Sequence, residues 1–290
     1  EIAATAGLTL VPADKRNPLK TTTYGLGESI RHALDHGLRK FIIALGGSAT
    51  NDGGLGMLQA LGARFLDGRG QAVPPFAASL DSIRSVDYTT IDPRLGKSVI
   101  RGACDVDNSL CGPRGASFTY GAQKGATPAQ IQQLDRALAC YADRVEAHLK
   151  RSFRNVKGAG AAGGMGFALL TLGAELASGA QLVCEVAGME KLMTGADWLI
   201  TGEGKTDRQT MNGKVPFYLA SLAARHGVPV ILMSGCIADD SPELRRHFHA
   251  MHSLVGGSTT VEKAMARAGA LLYDETRQAV RVLRKEEGRR

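Results

Sequence analysis

The apolar run FIIAL, residues 41–45, passes directly into GGSATNDGG, residues 46–54. A short run that is apolar at every position fits a strand buried on both faces, as in a parallel sheet. The helical pattern LGMLQALGARF follows at once. Strand, glycine-rich loop and helix in that order point to an α/β fold, because each element needs the other to cover its apolar side. The loop then lies at the carboxyl edge of the sheet, where open α/β sheets bind their ligands. Free amides and the dipole of the following helix favour an anion there. Gly46 and Gly47 let a ligand approach the backbone, Ser48, Thr50 and Asn51 add side-chain hydrogen bonds, and Asp52 is a candidate cation ligand. A simpler reading has Asn51 or Asp52 capping the helix, which accounts for only one of the polar residues.

The same alternation recurs. TTTYGLGESIRHALDHG (21–37) reads as a helix before FIIAL. Downstream come the strand DWLIT (197–201), the helix KVPFYLASLAARHG (214–227) and the strand VPVILM (228–233). The helix SPELRRHF, a short strand around HSLVGG and a final helix complete the series. In the last, Val261, Met265, Ala268, Leu272, Val280 and Leu283 recur near helical spacing. The middle differs. Residues 67–126 are rich in Pro, Gly and Asp, with β-like pieces such as SVIRGA. TPAQIQQLDRALACYADRVEAHL is then a strong helix, with Thr127 as N-cap, Pro128 at its first position and an apolar side of Ile131, Leu134, Leu138, Tyr141 and Val145. GAGAAGGMG (158–166) opens the helix FALLTLGAELASG. The expectation is two α/β domains: a flavodoxin-like one with a largely parallel sheet from 1–62 and 190–290, and a second from 63–189.

Composition narrows the function. The net charge is +7, but RQAVRVLRKEEGRR (277–290) and YADRVEAHLKRSFRNVK (141–157) carry that excess, and neither interleaves aromatics with its basic residues. Solvated helix faces explain both, and no nucleic-acid partner is expected. No apolar run approaches the roughly 18 residues of a membrane helix, so no membrane partner is expected. The opening EIAATAGLTLVPADKR lacks the basic and apolar regions of a signal peptide. Five cysteines without a CxxC pair suit reduced thiols in the cytoplasm. GxxxxGK[ST], GxSxG and HExxH are all absent. A P-loop, a serine-hydrolase elbow and a zinc hydrolase are therefore excluded as motif readings.

Three further segments could carry chemistry. In CDVDNSLCGPRGA (104–116), Asp105 and Asp107 are two apart, which on a strand puts both carboxylates on one face and favours Mg²⁺ between them. A turn rich in Asp, Asn and Gly is the alternative. Arg114 and Lys124 follow and are candidates to neutralise phosphate. GAGAAGGMG contains G-x-G-x-x-G at Gly158, Gly160 and Gly163, with Glu185 at ribose-contact distance in sequence. The charged HLKRSFRNVK before it is no strand, which leaves an NAD-dependent oxidoreductase as a remote alternative. A substrate-facing helix start, with Gly163 and Gly164 against the ligand, and close helix packing both stay open. In TGEGKTDRQTMNGK (201–214), Gly202, Glu203, Lys205, Asp207 and Lys214 follow a strand. Carboxylates that hold metal or accept a hydroxyl proton, beside lysines that stabilise phosphate charge, suit phosphoryl transfer. A polar turn would look similar.

GGSATNDGGLGMLQALGARF, DPRLGKSVIRGACDVDNSLCGPRGAS, QKGATP, GAGAAGGMGFALL and TGEGKTDRQTMNGKVP, in that order, closely resemble the bacterial glycerate kinase family, type I. The resemblance runs from Glu1 nearly to the C-terminus. It implies Mg²⁺-dependent phosphoryl transfer from ATP to D-glycerate, with 2-phosphoglycerate as the usual product, at an active site in a cleft between two α/β domains. Under it, Asp207 accepts the hydroxyl proton, and Lys205 and Lys214 neutralise phosphate. Mg²⁺ sits on Asp105, Asp107 or Glu203, and Arg114 pairs with the glycerate carboxylate. Family members usually begin with a further segment bearing a first strand and DSFKGS-like and DGGEGT-like loops. The chain is thus expected to resemble the family minus that segment. Its flavodoxin-like domain is then incomplete, and a ligand-binding fragment that does not turn over is the alternative function.

Overall fold

The computed structural model describes residues 1–238, 240–255 and 260–287. It is an α/β protein with parallel sheets, as the strand–loop–helix pattern requires. The chain divides into two compact units, Glu1–Gly179 and Ala180–Arg290.

In the first unit, β1 (Lys40–Ala44), β4 (Val99–Ala103) and β5 (Glu175–Ala177) form a parallel sheet in the order β1-β4-β5. Pairing therefore joins a strand of segment 1–62 to two strands of segment 63–189. The expected grouping of 1–62 with 190–290 differs from this, because an apolar strand pattern does not say which strand is its neighbour. Successive side chains of β1 point to opposite faces, and Ile43 is buried in the core while Ile42 on the other face stays 50% exposed. Two expected helices end early and yield to strands. The helix Leu55–Ala60 stops before Gly62, and Arg64–Leu66 (β2) pairs antiparallel with Ser85–Asp87 (β3). The helix Ala161–Thr171 stops before Gly173, and the continuation supplies β5.

The helix Pro128–Leu149 forms as its sequence reads. Thr127 Oγ1 accepts from the Gln130 amide at 3.3 Å, and the Thr127 amide donates to Gln130 Oε1 at 2.8 Å. Such a capping box is worth about 1 kcal/mol. Leu134, Leu138, Tyr141 and Val145 are buried along one side, each apolar side chain contributing about 1.5–3 kcal/mol. Tyr141 meets Phe65 and Phe167 at ring-centroid distances of 5.8 and 5.7 Å, at the centre of the core.

In the second unit, β6 (Leu199–Thr206), β7 (Val230–Ile237) and β8 (Ala250–Ser253) form a parallel sheet in that order. β7 is central, and Ile231, Leu232 and Met233 are all buried. The helix Val215–Arg225 covers one face through Leu219, Leu222 and Ala223. Ala279 and Leu283, from the helix Ala268–Glu287, pack with Ile231 and Met233. The final helix expected from 261 is interrupted at Arg267, between Val261–Ala266 and Ala268–Glu287. Gly256 and Gly257 of HSLVGG, and the last three residues of the basic C-terminal segment, lie outside the described residues. Among the described residues no helix is long and apolar enough to cross a membrane.

Candidate active site

β1 delivers the loop GGSATNDGG to the carboxyl end of its sheet, where a cavity of about 250 Å³ opens. Gly46, Gly47, Ser48, Asp105, Tyr120 and Lys124 line it. Lys124 is only 2% exposed. Its ammonium donates to Ser48 Oγ at 2.9 Å and to the Thr50 carbonyl at 2.6 Å. Burial drives its pKa down to about 7, and the nearby Asp52 carboxylate pulls it the other way.

Asp52 has a different job from cation ligation. It is fully buried, and it accepts from the Thr23 amide at 2.9 Å, Thr23 Oγ1 at 2.8 Å, the Gly54 amide at 3.1 Å and the Gly56 amide at 3.3 Å. Thr23 Oγ1 in turn accepts from the Met57 amide at 2.9 Å. Asp52 thereby satisfies the start of the helix Leu55–Ala60 and ties it to the start of the helix Tyr24–Asp35. Burial raises its pKa, and its hydrogen bonds oppose the rise. Asn51 Nδ2 donates to Ser117 Oγ at 2.8 Å, while Asn51 Oδ1 and Thr50 Oγ1 are buried without a partner.

GAGAAGGMG packs against this loop. The Gly53 amide donates to the Gly163 carbonyl at 2.9 Å. Gly163 has φ of 71°, and a Cβ on it would lie 2.0 Å from the Thr50 carbonyl oxygen. Gly164 meets Gly53 in the same way. Close packing of backbones, not a ligand, occupies these two glycines; Ala161 and Ala162 are the neighbours that line the cavity. The dinucleotide reading fails on context as well. Turns after the helix Pro128–Leu149 precede Gly158, and no strand does.

The reading of Asp105 and Asp107 as one face of a strand also needs correction. β4 ends at Ala103, so both lie in the following loop. Asp105 Oδ1 accepts from the Gly179 amide at 2.8 Å, and Asp107 pairs with Arg114 at 3.5 Å. The Arg114 side chain is 79% exposed and does not line the cavity. Among the described residues no group of three or more His, Cys, Asp or Glu is placed to hold a metal ion. Of the expected Mg²⁺ ligands, Asp105 and Asp107 belong to the first unit and Glu203 to the second.

In the second unit TGEGKT is strand, not loop. Gly202, Glu203 and Lys205 all belong to β6. Gly202 serves the sheet, since a Cβ there would lie 2.6 Å from the Met233 carbonyl oxygen. Lys214 Nζ lies 3.5 Å from Glu203 Oε2 and 3.5 Å from Asp207 Oδ1, and Lys205 lies 3.8 Å from Asp207 Oδ2. Glu203 Oε1 accepts from Thr206 Oγ1 at 3.0 Å and Thr210 Oγ1 at 2.7 Å, so two hydroxyls hold the carboxylate toward Lys214. Thr206 is itself buried against Ser234 at 2.9 Å. Glu203 and Lys205 border a cavity of about 870 Å³. Met233, Leu254, Val261, Met265 and Leu272 make most of its wall apolar.

A model described as the glycerate kinase family matches residues 1–284. The chain belongs to the glycerate kinase family. It is 47% identical over 270 residues to the glycerate kinase of Bacillus subtilis (strain 168), covering 92% of this chain and 71% of that one. It is 44% identical over 283 residues to the glycerate 2-kinase of Escherichia coli (strain K12), covering 97% and 73%. A crystal structure from Salmonella typhimurium LT2, provisionally assigned as glycerate kinase 2, superposes with a TM-score of 0.86 at 42% identity, covering 99% of this chain and 75% of that one.

Within this family member the structure draws the expected site residues into two groups. Gly46, Gly47, Ser48, Asp105 and Lys124 share the smaller cavity. Glu203, Asp207, Lys205 and Lys214 form the charged cluster of the second unit. Four contributors escaped the sequence reading: Thr23, Thr206, Thr210 and Ser234. Thr206 and Thr210 flank Asp207 in the quoted motif, and their hydroxyls were the available signal. Thr23 acts across 29 residues and Ser234 across 28, and nothing local marks either.

Proposed function

We propose that this glycerate kinase family member, as in the bacterial type I branch, transfers the terminal phosphoryl group of ATP to D-glycerate with Mg²⁺, giving 2-phosphoglycerate. One observation carries the reading. A single ammonium, Lys214, lies 3.5 Å from two carboxylates, Glu203 and Asp207, beside an apolar cavity of about 870 Å³. That volume falls in the range of small-molecule pockets, about 300–1,000 Å³, and an apolar wall suits a purine base.

Phosphoryl transfer asks little covalent chemistry of a protein. The acceptor oxygen bonds to the γ-phosphorus, the bond to the bridging oxygen breaks, and the hydroxyl proton leaves. Asp207 is the acceptor of that proton. Lys205 and Lys214 stabilise charge on the transferring group's oxygens. Mg²⁺ in kinases takes one or two carboxylates plus phosphate oxygens, so a three-residue cage is not required. Glu203, oriented by Thr206 and Thr210, is the residue that would hold it. When bound, the ion neutralises charge on the phosphates. All five cysteines are free, which suits a reducing cytoplasm.

The test is an assay of the purified chain with ATP, Mg²⁺ and D-glycerate. Enolase alone as the coupling enzyme reports 2-phosphoglycerate, and adding phosphoglycerate mutase reports the 3-isomer. Signal with enolase alone is expected. Turnover of another hydroxy acid but not D-glycerate would sink the substrate assignment. ATP-independent ligand binding without turnover would favour the non-catalytic reading.

A further inference from the structure

We propose that the cavity of the Glu1–Gly179 unit binds a three-carbon hydroxy acid, with Lys124 and Ser48 holding its carboxylate and Asp105 accepting a hydrogen bond from a hydroxyl. Naming the acid as D-glycerate rests on the kinase reading above.

The donors come first. An ammonium has three N–H groups. Two of those on Lys124 go to Ser48 Oγ and the Thr50 carbonyl, which leaves one uncommitted. Ser48 receives from Lys124, so its own proton remains to be donated, and among the described residues it has no acceptor. Both side chains are buried and both line the cavity. Gly46 and Gly47 line it too, at the carboxyl end of β1. This wall presents donors and a cation, which is the complement of a carboxylate.

The acceptor comes from the loop after β4. Asp105 Oδ1 takes the Gly179 amide at 2.8 Å, which fixes the carboxylate and leaves its second oxygen capacity for a hydroxyl. A site with a buried cation at one wall and an oriented carboxylate at another selects a molecule with an acid at one end and an alcohol beyond it. Size agrees. A volume of about 250 Å³ is room for about eight waters at about 30 Å³ each. Glycerate, with seven heavy atoms, fits, and a nucleotide does not. A buried ammonium also gains from an anion beside it, because the partner offsets the desolvation that depresses Lys124. Arg114, the expected carboxylate partner, is exposed, engaged with Asp107 and outside the cavity lining. Its role passes to Lys124.

Calorimetric titration without ATP tests this on the chain, with D-glycerate, propionate and glycerol as the three probes. Wild type is expected to bind D-glycerate best, propionate more weakly and glycerol not measurably. Lys124→Met is expected to weaken both acids about a hundredfold. Asp105→Asn is expected to weaken D-glycerate about tenfold and leave propionate unchanged, a split that general damage to the fold would not produce. Wild-type affinity for D-glycerate in a folded Lys124→Met, or no D-glycerate binding by wild type, overturns the proposal. Should Lys124→Met fail to fold by circular dichroism, Ser48→Ala and Asp105→Asn decide, and wild-type affinity in both overturns it. If the pattern holds but ATP turnover is absent, the kinase reading fails and the acid site stands. If turnover occurs with a KM for D-glycerate that Lys124→Met leaves unchanged, the site fails and the kinase reading stands.

Discussion

The amide of Gly53 donates to the carbonyl of Gly163 at 2.9 Å, joining two glycine-rich segments that lie 110 residues apart. Thr50, Asn51 and Gly53 are packed against Gly163 and Gly164 with no space for a side chain. Gly163→Ala places a Cβ 2.0 Å from the Thr50 carbonyl oxygen at a φ of 71°, so either backbone must move. A loss of about 3–5 kcal/mol in denaturant-unfolding free energy is expected. Gly46→Ala is the control. Its Cβ meets nothing within 4 Å, and a change within about 1 kcal/mol is expected.

Asp52 accepts four hydrogen bonds while fully buried. Asp52→Ala strands the Thr23, Gly54 and Gly56 donors, and a destabilisation of about 2–4 kcal/mol by urea unfolding is expected. The Mg²⁺ concentration for half-maximal activity should stay unchanged in whatever folded fraction survives. A marked rise would restore Asp52 as a metal ligand.

Lys124 imposes a pH dependence with a definite sign. Its folded pKa is about 7, below the ordinary 10.5. Below about pH 7 both folded and unfolded chains hold the proton, and the burial cost is fully present. Between about 7 and 10.5 the unfolded chain holds it and the folded chain does not, so this residue makes stability rise with pH. Cys104 and Tyr120 share the cavity and are shifted upward from 9.0 and 10.0, so pH 7 to 8.5 is the clean window. Asp52 acts on Lys124 by charge and Asp105 lines the same cavity; both remain in each variant compared. Denaturation across that window should show a rise in wild type that Lys124→Met reduces. Parallel profiles would refute it.

Asp207→Asn removes the proton acceptor while keeping the side-chain shape. A fall in kcat of about 10²–10⁴-fold with little change in KM for ATP is expected in steady-state kinetics. Thr210→Val frees Glu203 Oε1 from its 2.7 Å hydrogen bond. A fall of about tenfold in kcat, with a raised Mg²⁺ requirement, is the expected outcome.

What the sequence by itself determined is local. Apolar strand runs next to glycine loops required an α/β fold. Thr127-Pro128 set the start of its helix, because a cap and a proline act within one turn. The glycine-rich and charged motifs marked the segments that line both cavities, and their order carried the family. The tertiary structure decided whatever depends on distant neighbours. Hydrogen bonding across 29 residues made Asp52 an anchor, and desolvation from all sides brought the Lys124 ammonium down to titrate near neutral pH. Backbone contact turned Gly163 from a ligand candidate into a packing residue. A strand ending at Ala103 separated Asp105 from Asp107 in role. Burial, pairing and hydrogen-bond saturation are properties of surroundings, and the chain acquires surroundings only when it folds.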